Sequence, residues 1–525
     1  MACIEARRPR ILPAVSDAAP LSPPSASSAR KWFLAFVCIG IGLRLLRYLV
    51  DMPLWGDEAC IGLNIINRGY ADLLKPLDYA QVAPLGFLFS ERAAYDALGM
   101  SEYAMRLLPM LAGVGGFVLF AYWARLVAAP AAAAIAVGVM AVSNYSVRYA
   151  VEFKPYGYDF FASLILLVPA TLFLLTNRTR WLALLIAIVP LALSLSFPAV
   201  FVAGGIALAL LASVGRPRPA RVILTLLYGI VLVGCFAALL KLTTAGQYQS
   251  NRTNMTQYWE DAFPPANPLR LLLWLLQQHT GNMFAYPFGA KNGLSTISFV
   301  AFLVGLFNWI KTRRGVWATL VVAPFVLTFT AAVFRRYPYG DSARIEQHLA
   351  PAIVLLIGIG AAWLIENLPK QQQSKRLWAL ILYCGLLALG GYITGYYCFH
   401  PYQTRPDAEA RKLVRGFLRQ ATPQTLIVVL QPRRDTQPNF QWYLRQRQSQ
   451  ITWDGEHDRA WQSQSRPLVV ASTVVRPGLE EQLLRQLGRK PSAHVAQYVH
   501  LGPKQAPPDY FEAFAFPAVA TTLPP

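Results

Sequence analysis

Residues 32–50 read WFLAFVCIGIGLRLLRYLV, and residues 51–59 continue DMPLWGDEA. The first run is apolar apart from Arg44 and Arg47, and it meets the ~20 residues a helix needs to cross a bilayer. Arg44 and Arg47 are three apart on one helix face, and Arg47 can snorkel outward along its own stem. No small-residue cleavage site follows, so this is a retained span and not a removable signal. The chain then turns at once to a proline, a tryptophan and an Asp-Glu pair. A nearly uncharged helix running into a loop rich in chemistry is the pattern from which the rest of the sequence is read.

Composition extends that pattern over all 525 residues. Hydrophobic residues make up 55%, charged residues 14%, and mean hydropathy is +0.36. Soluble domains carry about 25% charged residues, so a water-soluble α/β enzyme is excluded, and so is a disordered chain. The formal charge of +21 would suit a nucleic-acid partner in a polar protein. In so apolar a chain it fits basic cytoplasmic loops beside a bilayer. Six cysteines without CxxC or metal spacing give no disulfide framework.

Candidate spans fall near 32–50, 107–127, 128–143, 158–176, 181–196, 197–214, 221–241, 292–310, 315–334, 349–367 and 377–396, about eleven in all. Residues 1–31 form a Pro/Ser/Ala-rich basic arm, expected to be disordered and cytoplasmic. With residue 1 inside, the short inner loops hold twelve cations, from Arg125 to Arg376, against one acid, Glu366, as the positive-inside tendency requires. The other fourteen acids between 32 and 396 fall at or beyond the outer face. An odd span count puts the C-terminal region outside as well.

A transporter carries its ionisable residues within spans, facing a pathway. Here they gather in the outer loops. The first loop (51–106) is predicted to hold amphipathic helices on the membrane surface, one from Cys60 to Arg68 and one over 85–99. Asp57, at the head of the former, reads either as an N-cap or as a working carboxylate. The second loop sets Glu152, Lys154 and Asp159 among four tyrosines. The fourth carries Tyr258-Trp259-Glu260-Asp261 and an amphipathic run to His279. The fifth, Arg335–His348, places cations outside, against the usual tendency. A phosphate-bearing ligand would explain them, and so would pairing with Asp341, Glu346 and the acids of the first loop.

Carboxylates and cations beside interfacial helices suit a substrate that is part lipid and part polar. In a polyprenyl-phosphate sugar the phosphate is already a good leaving group. Transfer to an acceptor hydroxyl then needs a carboxylate to take the proton and fixed positive charge for the departing phosphate. A glycosidase, by contrast, needs two flanking carboxyl groups. In-line attack by the acceptor inverts the anomeric centre.

Four motifs in order carry a resemblance: Trp55-Gly56-Asp57-Glu58-Ala59; Pro76-Leu77-Asp78-Tyr79 with Gln81-Val82-Ala83-Pro84; Glu152-Phe153-Lys154-Pro155-Tyr156; and Tyr337-Pro338-Tyr339-Gly340 with Arg344. Over roughly 32–396 the chain resembles GT-C-type membrane glycosyltransferases, in particular the glycosyltransferase family 39-like group related to protein O-mannosyltransferases and bacterial aminoarabinose transferases. The resemblance implies a catalytic Asp57 supported by Glu58. It implies Lys154, Arg344 and Arg336 at the donor phosphate, and Glu152, Tyr156, Tyr337, Asp78 and Gln81 around the pocket. Some members of the wider superfamily use a divalent metal (Mg or Mn) and others do not. Asp57, Glu58 and Glu152 could supply ligands, though no metal pattern stands in the sequence. Several relatives have Asp where this chain has Glu152.

The function expected is an inverting transfer of a monosaccharide from a polyprenyl-phosphate donor to a hydroxyl of an envelope lipid, glycan or protein, at the outer face of a bacterial inner membrane. The alternatives are a lipid-linked glycan transporter or an O-antigen-type polymerase or ligase. Domains are expected at 32–396 (catalytic, transmembrane), 397–502 (a small extracytoplasmic α/β domain) and 503–525 (a flexible Pro/Ala-rich tail). Helices are predicted at 407–421, 439–447 and 478–489, with strands at 425–430, 450–453, 467–473 and 494–500. Sequons at Asn177, Asn251 and Asn254 match a three-residue pattern that arises often by chance. Cys60 and Cys398, both expected outside, could pair, though their spacing does not require it, and His348 is expected to make a polar contact.

Overall fold

Each of the eleven apolar stretches folds as one helix, because a run of this kind can satisfy its backbone in lipid only by internal hydrogen bonds. The computed structural model describes residues 26–213, 219–244, 246–247, 256–288, 293–313, 315–420, 425–430, 438–445, 451–454, 468–472, 478–487, 490–491, 493–500 and 509–516. In chain order the helices are α1 (Ala26–Leu49), α2 (Gly56–Asn67), α3 (Leu85–Leu98), α4 (Glu102–Val127), α5 (Pro130–Val142), α6 (Asn144–Tyr149), α7 (Tyr156–Thr176), α8 (Thr179–Leu195), α9 (Ala199–Ala212), α10 (Pro219–Leu239), α11 (Pro268–Thr280), α12 (Leu294–Arg313), α13 (Val316–Val333), α14 (Ala350–Asn367), α15 (Gln372–Phe399), α16 (Arg405–Gln420), α17 (Pro438–Leu444) and α18 (Leu479–Leu487).

Among the described residues eight helices, α1, α4, α7, α10 and α12 to α15, are long and apolar enough to cross a membrane, and the chain is an integral membrane protein. Three of the eleven expected spans are shorter: α5, α8 and α9 have 13, 17 and 14 residues. Alanine-rich α5 lies in the middle of the bundle against α1, α14 and α15, with every residue from Ala132 to Val142 buried. Small residues permit such close crossings. Where α12 meets α14, Gly305 faces the Leu356 carbonyl and Gly360 the Ala301 carbonyl so closely that a Cβ on either would collide. The first span starts at Ala26, six residues before the expected boundary. Most of the predicted basic arm, 1–25, lies outside the described residues, as do the sequons at Asn251 and Asn254.

The first loop departs most from expectation. α2, expected as an amphipathic helix on the membrane surface, is enclosed by protein: Glu58, Ala59 and Ile61 to Ile66 are all buried. Its cover comes from far along the chain. α17 packs over α2 and α16 packs on α17, and Ala410, Val414, Trp442 and Tyr443 share one core cluster with Ile61, Leu63 and Phe153. The Trp442 ring lies on Gly62 so closely that a Cβ there would meet it at 2.6 Å. The Tyr443 hydroxyl accepts from the Leu54 amide at 3.0 Å, and the Tyr79 hydroxyl donates to Gln441 Oε1 at 3.0 Å. At the edge, Arg411 and Arg415 both reach Asp51 and Glu102, the closest contact being Arg415 to Glu102 at 2.8 Å. Replacing a buried tryptophan by alanine costs about 3–5 kcal/mol. Trp442→Ala is therefore expected to lower the melting temperature and expose the 405–445 segment to protease, while Trp442→Phe, which keeps a ring on Gly62, is expected to lose much less.

Beyond α16 the chain contributes a five-stranded sheet of order β2-β1-β3-β5-β4, with β1 at Leu426–Leu430, β2 at Ile451–Asp454, β3 at Leu468–Ser472, β4 at Ala493–His500 and β5 at Asp509–Phe516. β1 runs parallel to β2 and β3, and β5 runs antiparallel to β3 and β4. Within the expected flexible tail, 503–525, Asp509–Phe516 form the strand β5, and the rest of that stretch lies outside the described residues. The strand pairs with β3 on one side and β4 on the other, and the average Pro/Ala content of the tail concealed the run Tyr510-Phe511-Glu512-Ala513-Phe514 within it.

Candidate active site

The turn after α1 is built to aim one carboxylate and bury the next. Trp55 is the N-cap of α2, so Asp57 is already in the first helical turn and is not a cap. A carboxylate there is favoured by the helix dipole. The Asp57 side chain stays 34% exposed and its Oδ2 lies 3.3 Å from Arg344 Nη1. Glu58, one residue on, points the other way and is fully buried. Its carboxylate accepts from Arg106 Nε at 2.9 Å and again from Arg106 Nη2, from the Phe153 amide at 2.7 Å and from the Trp55 amide at 3.2 Å. Glu58 thus ties α2 to α4 and to the second loop, and both of its oxygens are occupied.

Arg344 reaches Asp57 from 287 residues away, and its loop is held by the fourth one. Tyr339 N donates to the Ala262 carbonyl at 2.9 Å, Asn282 Nδ2 to the Asp341 carbonyl at 2.5 Å, and the Asp341 amide to Gln278 Oε1. Gly340 sits at φ +77°, a left-handed conformation that glycine adopts without strain. Tyr337, expected in the pocket, donates its hydroxyl to the Ile345 carbonyl at 2.7 Å and so closes this loop. The Arg344 guanidinium lies 4.8 Å from the Trp259 ring centroid and donates to the Tyr258 hydroxyl at 2.7 Å. Burial works against its charge, but Tyr156, Tyr258 and Asp57 outweigh that and hold its pKa above the ordinary arginine value.

The second loop completes the cluster. Glu152 is buried, accepts from Trp55 Nε1 at 2.6 Å and pairs with Arg148 at 3.1 Å. Lys154 is also buried, yet its ammonium donates to Gln81 Oε1 at 2.5 Å, and among the described residues no carboxylate lies within ion-pair distance of it. A buried amine facing only a neutral amide leaves its charge for something else to balance. Tyr156 is within electrostatic reach of Arg344, Glu152 and Asp57.

The ten residues expected at the site therefore divide. Asp57, Arg344, Glu152 and Tyr156 converge, with Lys154 and Gln81 paired two residues beyond Glu152. Glu58 lies beneath them as a brace, Tyr337 fastens the Arg344 loop, and Arg336 stands exposed just past α13. Asp78 is exposed and pairs with Arg68 at 2.9 Å. Arg106, Arg148 and the Trp55 indole are participants that sequence reasoning left without a role, and Tyr258 and Trp259 flank Arg344. Tyr258 and Trp259 carried a signal, an aromatic pair beside Glu260 and Asp261. Arg106 carried none, since only the folded contact with Glu58 reveals it.

Two buried acids stand apart. Glu91 accepts from the Tyr158 hydroxyl at 2.9 Å, and burial raises its pKa well above the ordinary glutamate value. Glu346 accepts from the Gly340 amide at 2.7 Å, and burial pushes its pKa up to about 8. A carboxyl whose folded pKa is raised binds a proton more tightly folded than unfolded, so stability falls as pH rises from its unfolded value toward about 8. His348 is buried against Thr328, and burial drives its pKa from 6.5 down to about 3. It contributes the opposite slope, stability rising with pH up to about 6.5. From pH 6.5 to 8 the histidine no longer contributes, and the melting temperature is expected to fall with pH in the wild type and to fall less steeply in Glu346→Gln, where Glu91 still contributes.

The carboxylates do not fit a metal. Asp57 is paired with Arg344, Glu58 with Arg106 and Glu152 with Arg148, and among the described residues no three His, Cys, Asp or Glu side chains come together as a ligand set. Cys60 and Cys398 are free thiols.

No protein-family model matches the chain, and no curated protein matches its sequence. Solved structures do match. ArnT from Cupriavidus metallidurans bound to undecaprenyl phosphate aligns over 94% of this chain and 99% of its own, at 14% identity and TM-score 0.52. The same protein in the apo state aligns over 93% and 98%, at 12% identity and TM-score 0.52. The oligosaccharyltransferase of Archaeoglobus fulgidus in complex with Zn and sulfate aligns over 78% of this chain and 61% of its own, at 12% identity and TM-score 0.50. At these identities the likeness is one of fold.

Proposed function

We propose, from a chain that carries the fold of the GT-C membrane glycosyltransferases, that it transfers a monosaccharide from a polyprenyl-phosphate donor to an acceptor hydroxyl, with inversion, at the outer face of the membrane. The observation that carries this is the pairing of Asp57 with Arg344, a half-exposed carboxylate against a fixed guanidinium in a loop cluster. In this reading Asp57 takes the proton of the acceptor hydroxyl as its oxygen attacks the anomeric carbon. Arg344, with Lys154, takes up the charge left on the lipid phosphate as the glycosidic bond to it breaks. Binding of the phosphate would draw Arg344 away from Asp57 and leave the carboxylate free to act. Glu152 and Trp55 shape the floor of the pocket, Gln81 holds Lys154, and Tyr156 and Tyr258 offer faces to the sugar. Glu58 is a positioning residue. The undecaprenyl phosphate held by the ArnT neighbour supports a lipid phosphate of the same class here.

Residues 32–396 would form the catalytic membrane domain, with residue 1 on the cytoplasmic side. The 397–502 region would be an extracytoplasmic domain whose first helices brace the Asp57 turn. The cationic, nearly acid-free inner loops support this orientation. Mass spectrometry of envelope lipids and glycans, with and without the protein, tests the function. One monosaccharide should be missing from one class of molecule without it, while an unchanged glycan profile would count against transfer.

A further inference from the structure

Three consecutive residues of α17, Gln441, Trp442 and Tyr443, are all buried, and each grips a different part of the first outer loop. The Tyr443 hydroxyl accepts from the Leu54 amide, three residues before Asp57. Trp442 lies on Gly62 in α2. Gln441 Oε1 accepts from the Tyr79 hydroxyl, two residues before Gln81. One short helix from the C-terminal region thus holds the chain on both sides of the candidate site, at its carboxylate end and at its cationic end.

The two hydrogen bonds reach different chemistry. Arg106 donates to the Met52 and Pro53 carbonyls and so holds the turn before α2 on one side, while Tyr443 takes the Leu54 amide. Leu54 is fully buried, so losing the hydroxyl leaves its amide without that acceptor, directly ahead of the helical turn that carries Asp57. On the other branch, Tyr79 and Ala80 both have left-handed φ, +60° and +51°. Residues other than glycine stay there only where their surroundings enforce it. Asn64 enforces it by donating to the Asp78 carbonyl at 3.2 Å and accepting from the Asp78 amide at 2.9 Å, and Gln441 enforces it through the Tyr79 hydroxyl. The turn delivers Gln81, whose amide nitrogen donates to the Tyr79 carbonyl at 3.2 Å and whose oxygen accepts from the buried Lys154 ammonium. The contacts Gln441–Tyr79–Gln81–Lys154 form an unbroken chain.

We propose that Tyr443 and Gln441 are positioning residues of the transfer reaction, Tyr443 setting Asp57 against the acceptor hydroxyl and Gln441 setting Lys154 for the lipid phosphate. The inference rests on the roles proposed above for Asp57 and Lys154. A clamp that merely held the fold would lower turnover, affinity and melting temperature together, whereas positioning residues with separate targets fail in separate ways. The test uses full-length protein in nanodiscs. It reads transfer from a radiolabelled undecaprenyl-phosphate sugar to an envelope-lipid extract at saturating donor, and separately the affinity for undecaprenyl phosphate. Tyr443→Phe, which keeps the ring, is expected to lower turnover by about 10- to 10²-fold, the scale of a small misplacement of a reacting group, with affinity unchanged. Gln441→Leu and Tyr79→Phe are each expected to weaken affinity by roughly three- to tenfold, the scale of one hydrogen bond, with turnover at saturating donor nearly retained. Their double variant should bind no more weakly than either alone, because both remove the same bond. The proposal is overturned if the three single variants lose turnover and affinity together in step with melting temperature. It is also overturned if affinity is unchanged in Gln441→Leu and Tyr79→Phe, or if their losses add. Should Tyr443→Phe fail to insert, the Gln441 and Tyr79 variants decide. Wild-type protein that binds undecaprenyl phosphate but transfers no sugar would overturn the transfer reading, and with it the role of Tyr443, while the affinities still decide the role of Gln441.

Discussion

Asp57→Asn is expected to reduce sugar transfer by roughly 10²- to 10⁴-fold, the range a positioned general base contributes, while the protein inserts and folds normally. The split between activity and stability follows from where Asp57 sits. Its ion pair with Arg344 is 3.3 Å long and its side chain is 34% exposed, and pairs of that kind contribute about 0–1 kcal/mol. Asparagine keeps the size and one acceptor oxygen but cannot take a proton from the acceptor hydroxyl. Turnover assays at saturating donor, beside a melting curve, separate the two effects. A variant with unchanged melting and near wild-type turnover would remove Asp57 from the chemistry and leave it only a partner for Arg344.

The neighbouring glutamate should behave in the opposite way. Glu58→Gln is expected to destabilise the protein by about 3–5 kcal/mol, because breaking a buried ion pair leaves Arg106 charged and unmatched. Turnover per folded molecule should fall far less than in Asp57→Asn. Glu58 accepts from two nitrogens of Arg106, from the Phe153 amide and from the Trp55 amide, so the damage reaches both the Asp57 turn and the Glu152 loop. A double variant, Glu58→Gln with Arg106→Met, removes both charges and should recover much of the loss. A Glu58→Gln protein as stable as wild type, but inactive, would return Glu58 to a direct part in the reaction.

The two adjacent acids show how far the sequence could be read. The spans were legible because a membrane helix is encoded locally: about twenty apolar residues suffice, and all eleven runs became helices, three of them shorter than a full crossing. The meeting of Asp57 and Arg344 was half legible, since pairing with the acids of the first loop was one of the two readings of the cations in the fifth. That Glu58 is buried while Asp57 stays open was not legible, because both lie in the first turn of one helix and only Arg106, on another helix, decides which is buried. The helix expected at Cys60–Arg68 is covered by protein, and that cover escaped the reading for a related reason. Its apolar face was read correctly, but its cover, Trp442 and its neighbours, lies about 380 residues away, and no local pattern announces a partner at that distance. β5 was missed because composition was averaged over a tail in which eight residues behave differently from the rest.

The central claim is that the chain breaks and makes a glycosidic bond and does not simply carry a lipid-linked glycan across the bilayer. Purified protein in sealed vesicles, supplied with a radiolabelled polyprenyl-phosphate sugar and an envelope-lipid acceptor extract, tests this directly. The account predicts that free polyprenyl phosphate appears in step with label on the acceptor, that the new linkage is anomerically inverted, and that both products are lost in Asp57→Asn. Label that crosses the vesicle membrane still attached to its polyprenyl phosphate, with no covalent product and no change in Asp57→Asn, would contradict it.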